Sequence, residues 1–294
     1  MPLLAAYSPH TDDLAVLDLA CQLARSDRES VHALTVVPQG WPTPVAGDTD
    51  REFEQWAAAV GQDAAAMAAE HLATHPDVPS EASWVAGRSV PQALLDQVGA
   101  RGCDLVVVGS GEDVPHGHVG ITSKTGRLLH SSDVPIAIAP RGYQAGPAAV
   151  VDRVTLAFRG DDATWSLLDA VARIARRADA AMRVVTFAIR SRPMYPPRVS
   201  GAEDMVLAAW VEQGRAEQEQ AVTHLRSLGF IDATLAVEVA VGRSWGGAMD
   251  SLGWGRSDLL VVGSSSTHRL GRVFLGSSAA KIVRHSPVPV VVVP

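Results

Sequence analysis

Lysine is nearly absent from this chain. Among 294 residues only Lys124 and Lys281 carry an ammonium side chain, and the remaining basic groups are arginines. A catalytic lysine therefore has almost no candidates. Cysteine is equally scarce: Cys21 and Cys103 are too few for a disulfide framework. They read as small buried apolar residues and fit a reducing, cytoplasmic compartment. No apolar run approaches the roughly 18 residues of a membrane span. The opening MPLLAAYSPHTDD lacks the basic start and small-residue cleavage site of a secretory signal. A net charge of −7 leaves no basic stripe for a nucleic acid and no attraction to an anionic membrane. Neither partner is expected.

Several catalytic signatures are also missing. No GxSxG nucleophile elbow, Walker GxxxxGK[ST] or HExxH is present. His71 and His75, four apart, share a helix face, but zinc needs one or two further ligands, so the pair reads as a polar helix end before Pro76. His116 and His118 read as loop histidines. Asp12–Asp13 and Asp161–Asp162 sit where helix N-caps are needed, and capping explains them better than paired acid–base chemistry. Asp104 and Asp258 read as acceptors for turn amides. No catalytic residue and no metal is assigned, and the chain is expected not to be an enzyme.

What the chain does have is an internal repeat. DLVVVGSGEDVPHGHVGITSKTGRLLHSSDVPIAIAP and DLLVVGSSSTHRLGRVFLGSSAAKIVRHSPVPVVVVP align without a gap, Asp104 with Asp258, Gly109 with Gly263 and Pro140 with Pro294. Gly87-Arg88-Ser89 recurs as Gly242-Arg243-Ser244, and LLAAYSPHTDDLAVLDLA resembles VTLAFRGDDATWSLLDAV. Two domains follow, residues 1–141 and 151–294, joined by a short Gly/Pro/Ala-rich linker.

Each half alternates short apolar runs with amphipathic stretches. In the first half the strands are Leu3–Tyr7, Val31–Val37, Ala82–Ala86, Leu105–Val108 and Ile136–Ala139. The helices between them are Asp12–Arg25, Arg51–His75, Val90–Ala100 and Ser123–His130. The second half repeats the order, its fifth strand near Val288–Val293. Strict alternation predicts α/β domains, each a doubly wound five-stranded parallel sheet with helices on both faces. Ligands in such sheets bind beyond the carboxyl ends of the strands. Pro135 and Pro289 open the fifth strands, where a missing amide does least harm. The strand VPVVVV is too apolar to stay an edge, so the two halves are predicted to pair through their last strands, an intramolecular pseudo-dimer that leaves a further homodimer open. The stretches 39–50 and 191–201 are rich in Pro and Gly and read as lids or plain connections.

The segment GSSSTHRLGRVFLGSSAAKIVRHSPVPVVVVP resembles the C-terminal part of universal stress proteins, with the loop G-x2-G-x9-G-[S/T] of the members that bind ATP. The likeness runs through the whole chain twice and implies an adenine nucleotide alpha hydrolase-like fold. In the second half the loop positions are Gly263, Ser266, Gly276 and Ser277, and three of the four match. At Ser266 a left-handed backbone would cost about 1–2 kcal/mol. A glycine-rich turn opening a helix offers bare amides to an anion, and glycine permits left-handed dihedrals and close approach. The resemblance implies that Val262, Gly263, Ser266, Gly276, Ser277 and Ser278 bind the nucleotide, the loop and helix start holding its phosphates. It puts Phe187 beside the adenine and Arg159 where the family's first strand ends in an aspartate. His268, Arg269 and Arg272 lie in the same loop. In the first half the loop positions are Gly109, Glu112, Thr122 and Ser123, and Ser8 replaces the aspartate. Glu112 would repel phosphate, so that half is expected not to bind a triphosphate. The resemblance implies a stress-response regulator with ATP or another adenine nucleotide in its second half. The alternatives are a scaffold acting through protein contacts and a weak nucleotide hydrolase.

Overall fold

A computed structural model describes residues 2–8, 13–40, 48–190, 202–231, 233–264 and 275–294. In the first half the order is β1 (Leu3–Tyr7), α1 (Ala15–Asp27), β2 (Val31–Pro38), α2 (Asp48–Leu72), β3 (Ser80–Gly87), α3 (Val90–Arg101), β4 (Leu105–Gly109), α4 (Ser123–Ser131) and β5 (Ile136–Ala139). The second half follows with β6 (Arg153–Ala157), α5 (Asp162–Arg177), β7 (Ala181–Ile189), α6 (Ala202–Ser227), β8 (Leu235–Gly242), α7 (Trp245–Asp250), β9 (Asp258–Gly263), α8 (Ser277–His285) and β10 (Val290–Val293).

The apolar runs form strands because both of their faces are covered. Leu3, Ala5 and Tyr7 of β1 face a core shared with α1 and α2, and with α5 and α6 of the second half. Leu4, Leu34, Ile136 and Val290 face the opposite core, closed by α3, α4, α7 and α8. Within each half the ladders are parallel, with β1 between β2 and β4, and β6 between β7 and β9.

The ten strands make one sheet of order β3-β2-β1-β4-β5-β10-β9-β6-β7-β8. Its centre is an antiparallel ladder, the one such ladder among the described residues, with Val290 opposite Ile138, Val291 opposite Ala137 and Val292 opposite Ile136. The pairing through last strands expected from VPVVVV is thus present. Each valine or isoleucine fully buried there is worth about 1.5–3 kcal/mol, which is why neither strand remains an edge.

The linker makes specific contacts that its composition does not reveal. Residues 141–152 are docked along α1. Gln22 Nε2 donates to the Val150 carbonyl (3.1 Å), Arg25 Nη1 to the Ala149 carbonyl (2.8 Å), and the Val151 amide to Ser26 Oγ (2.8 Å). The Tyr143 hydroxyl donates to Gln22 Oε1. Two polar residues of α1, Gln22 and Ser26, are buried in these contacts. A linker that must match a helix in this way cannot be told from a loose one by composition. Helix α1 also starts later than expected, at Ala15, with Asp13 Oδ1 accepting from the Ala15 amide (3.0 Å). Asp161 does cap α5, accepting from the Thr164 amide at 3.0 Å. No described helix is long and apolar enough to cross a membrane. The stretch 191–201 and most of 39–50 lie outside the described residues.

Candidate functional site

In the second half, β9, β6 and β7 lie side by side and end on one rim. Ladder register sets Leu156 beside Val261 and Ala157 beside Val185. Continuing two residues outward brings Phe158 level with Gly263 on one side and Arg159 level with Phe187 on the other. Val262 is buried in β9 and anchors the turn. Beyond it the Ser264 amide donates to the Val293 carbonyl (2.8 Å), which aims the chain off the rim.

Helix α8 begins where the chain returns. Its cap is Gly276 at φ −56° and ψ 156°, which carries no side-chain acceptor, and among the described residues no side chain caps the first turn. The amides of Ser277, Ser278 and the following Ala279 thus open the helix without a side-chain cap among the described residues, where the backbone dipole favours an anion. Left-handed freedom, one reason given above for the glycines, is not what Gly276 supplies: its φ is one any residue adopts. What glycine contributes there is the lack of a competing side-chain acceptor. Ser266, together with His268, Arg269 and Arg272, lies outside the described residues.

Arg159 is exposed, and its Nε stands 3.5 Å from Asp161 Oδ2. Gly160 holds φ +74°, and a Cβ there would fall 2.2 Å from Glu217 Oε2, so this turn requires glycine. Phe187 packs on Trp245, the first residue of α7, with ring centroids 5.9 Å apart. Lys281 Nζ of α8 lies 5.8 Å from the Trp245 ring centroid. The rim therefore offers uncapped amides, two cations and an apolar aromatic wall. Trp245 and Lys281 were not singled out by the sequence. The available signal was position: Trp245 follows Gly242-Arg243-Ser244 directly, and that turn is forced against α7. A Cβ on Gly242 would meet the Ala248 nitrogen and the Ser244 carbonyl oxygen at 2.8 Å each, and Ser244 caps α7 through the Gly247 amide (3.1 Å).

The first half differs at the same places. Thr122 Oγ1 accepts from the Thr125 amide at 3.1 Å, so the first turn of α4 carries its own cap. The loop leading to it is internally bonded: Gly120 donates to Ser110 Oγ (3.0 Å), Ser110 Oγ to the Ala139 carbonyl (2.6 Å), and Arg141 to the Glu112 and Val114 carbonyls (2.8 Å each). His116 fills the space beside Gly142, which sits at φ +67° and could not carry a Cβ. Below this loop lies an open cavity of about 620 Å³ lined by Tyr7, Ser8, Val36, Arg88, Glu112 and Lys124 among others. Sequence reasoning put no cavity in this half. Val36 and Val90 line it where Phe187 and Trp245 stand in the repeat.

Comparison with known proteins decides the ancestry. The sequence profile described as "Universal stress protein family" matches residues 1–140 and again 151–294. The chain belongs to the universal stress protein family. Its relatives include universal stress protein Rv2319c of Mycobacterium tuberculosis and Mb2346c of Mycobacterium bovis, each 38% identical over 285 residues and 95% of both chains. Among solved structures, a universal stress protein from Archaeoglobus fulgidus superposes with a TM-score of 0.62 at 15% identity, covering 99% of this chain and 97% of that one. At that identity the likeness speaks for the fold, and the tandem universal stress protein architecture read from the sequence is the one found.

Proposed function

We propose that this universal stress protein is a cytoplasmic, stress-associated regulator that binds an adenine nucleotide in its second half and does not turn it over. The observation that carries the reading is the uncapped start of α8 at Gly276, set against the filled cap of α4 at Thr122. Phosphate oxygens are the acceptors such amides lack. Arg159, exposed at the end of β6, adds a charge-assisted donor. The Phe187–Trp245 pair gives a nucleobase an apolar wall. The donor set fits the anionic end of a nucleotide. It does not supply the carboxylate that would hold a ribose hydroxyl or a metal at the end of the first strand, since Ser8 and Arg159 stand there. Binding through phosphate and base, rather than ribose, follows.

Calorimetry with ATP, ADP, AMP and cyclic AMP tests this on the full chain. Saturable binding that vanishes in Gly276→Asp supports it, because a carboxylate there would occupy the amides and repel phosphate. Absence of binding by all four nucleotides overturns it. A second reading, a scaffold that works through protein contacts, is favoured by the exposed Met205 and Trp210 of α6, with relative exposures of 69% and 52%. Recovery of a stoichiometric protein partner that is lost in Trp210→Ser, with no nucleotide bound, would establish that reading instead. Magnesium-dependent turnover above the Gly276→Asp control would make the protein a hydrolase.

A further inference from the structure

His71 and His75 lacked a third partner in the sequence, and the fold supplies one. Asp18, on the buried face of α1, faces the end of α2. Its Oδ1 lies 2.8 Å from His71 Nε2 and 3.5 Å from His75 Nε2. The ligating atoms of all three residues lie within 4.8 Å of one another. The two imidazoles meet edge to face, with centroids 5.6 Å apart. Their backbone is fixed: the His75 amide donates to the Leu72 carbonyl (2.9 Å) and its carbonyl accepts from Val78 (3.0 Å). Asp18 and His75 are both buried, at 7% and 9% exposure.

A tetrahedral ion with bonds of about 2.0–2.1 Å to nitrogen and oxygen holds its ligand atoms roughly 3.3 Å apart. The two spacings from Asp18 to the imidazoles bracket that value. Two imidazoles and one carboxylate are the donor set of zinc and its neighbours, and three protein ligands leave a fourth position open. The opposing charge nearby is Arg25, whose Nη2 lies 3.5 Å from His75 Nδ1. That guanidinium is held elsewhere, by both oxygens of Asp77 and by the Ala149 carbonyl. Asp18, Asp77 and Arg25 together leave one net negative charge when the imidazoles are neutral.

The repeat supplies an internal comparison. Leu17, Cys21 and Ala24 of α1 correspond to Leu168, Ala172 and Ala175 of α5, which sets Asp18 against Asp169. Gly61, Ala68 and Leu72 of α2 correspond to Gly214, Ala221 and Leu225 of α6, which sets His71 against His224 and His75 against Leu228. The second half keeps the pair, His224 Nε2 to Asp169 Oδ1 at 2.5 Å, with leucine as the third residue. One carboxylate–imidazole contact therefore suffices to clamp the first two helices of a half. The extra imidazole in the first half exceeds that structural need.

We propose that Asp18, His71 and His75 form a site for one divalent transition-metal ion, zinc by its donor set. The test uses untagged full-length protein stripped with a chelator. Zinc titration should give one equivalent bound, and imidazole ¹⁵N NMR should show two histidines perturbed. Cobalt(II) in its place should give the visible absorption of a four-coordinate ion. His75→Leu, which installs the second half's own residue, should weaken binding by about tenfold or more, while His224→Gln leaves it unchanged. If His75→Leu fails to fold, the wild-type NMR and cobalt spectra still decide. No stoichiometric binding, or binding that survives both His75→Leu and Asp18→Asn, overturns the site. Neither result depends on nucleotide binding.

Discussion

Arg153 Nε donates to the Asp258 carboxylate across 3.2 Å, at the end of the sheet opposite the rim that carries the candidate site. Asp258 is 4% exposed. Its Oδ2 also accepts from the Gly255 amide (2.9 Å), as expected of a turn aspartate. Behind it Arg183 is 1% exposed, bonded to Thr155 Oγ1 (3.1 Å), with its guanidinium carbon 4.5 Å from the Trp254 ring centroid. Burial, followed by the charge of Arg153, lowers the Arg183 pKa from its ordinary value. Removing Asp258 leaves that buried cation with less to balance it. Asp258→Ala should lower the unfolding free energy by about 3–5 kcal/mol, read from urea denaturation. A loss under 1 kcal/mol would mean that the cluster contributes little.

The repeat places Asp104 where Asp258 stands, with Pro2 and His32 in the positions of Arg153 and Arg183. Without those arginines, burial raises the Asp104 pKa, and nearby Glu29 and Asp27 push the same way. The folded chain thus holds this proton more tightly than the unfolded chain. Stability contributed by the neutral acid is complete at low pH and is lost as pH rises from about 4 through the raised value. Asp104→Asn should raise the melting temperature at pH 7, and the gain should vanish on acidification below about pH 4. Equal gains at both pH values would point to packing rather than ionisation.

A matched pair of glycines separates packing from helix propensity. A Cβ on Gly61 would fall 2.5 Å from the Trp84 ring, whereas on Gly214 the nearest atom is Thr186 Cγ2 at 3.1 Å. Both lie inside long helices, where alanine is favoured by about 1 kcal/mol. At Gly61 the ring must move, at a cost of about 1–3 kcal/mol. Gly61→Ala should destabilise the protein and Gly214→Ala should be close to neutral, both measured by thermal unfolding. The reverse order would show that Trp84 yields freely.

The sheet was legible because burial on both faces leaves the central strands mostly apolar, with Thr155 and Arg183 as buried exceptions. VPVVVV announced the seam for the same reason: ten strands in one sheet are what its exposed edge would otherwise forbid. The rim was half legible. Gly263, Gly276 and Ser277 follow from a local motif, but Trp245 and Lys281 reach the site from α7 and the middle of α8, and only the fold brings Trp245 to Phe187 and Lys281 to Trp245. Asp18 illustrates the same limit. It lies 53 residues from His71, and an aspartate within an apolar helix stretch carries no mark of what it will face. The docking of Val150 and Val151 on α1 was illegible because backbone groups make half of it.

The difference between the two helix caps can be moved from one half to the other. Thr122 satisfies the Thr125 amide of α4 with its own hydroxyl, and Gly276 brings no side-chain acceptor of its own to the start of α8. Threonine and glycine are nearly equal as N-caps, differing by a few tenths of a kcal/mol. Gly276→Thr should therefore leave the melting temperature almost unchanged. It should nonetheless weaken nucleotide binding by about tenfold, because one charge-assisted hydrogen bond of about 1.5–3 kcal/mol is given up to an internal acceptor. A parallel loss of stability and affinity would mean that the loop had collapsed. Unchanged affinity would place the phosphates away from α8 and remove the observation on which nucleotide binding rests.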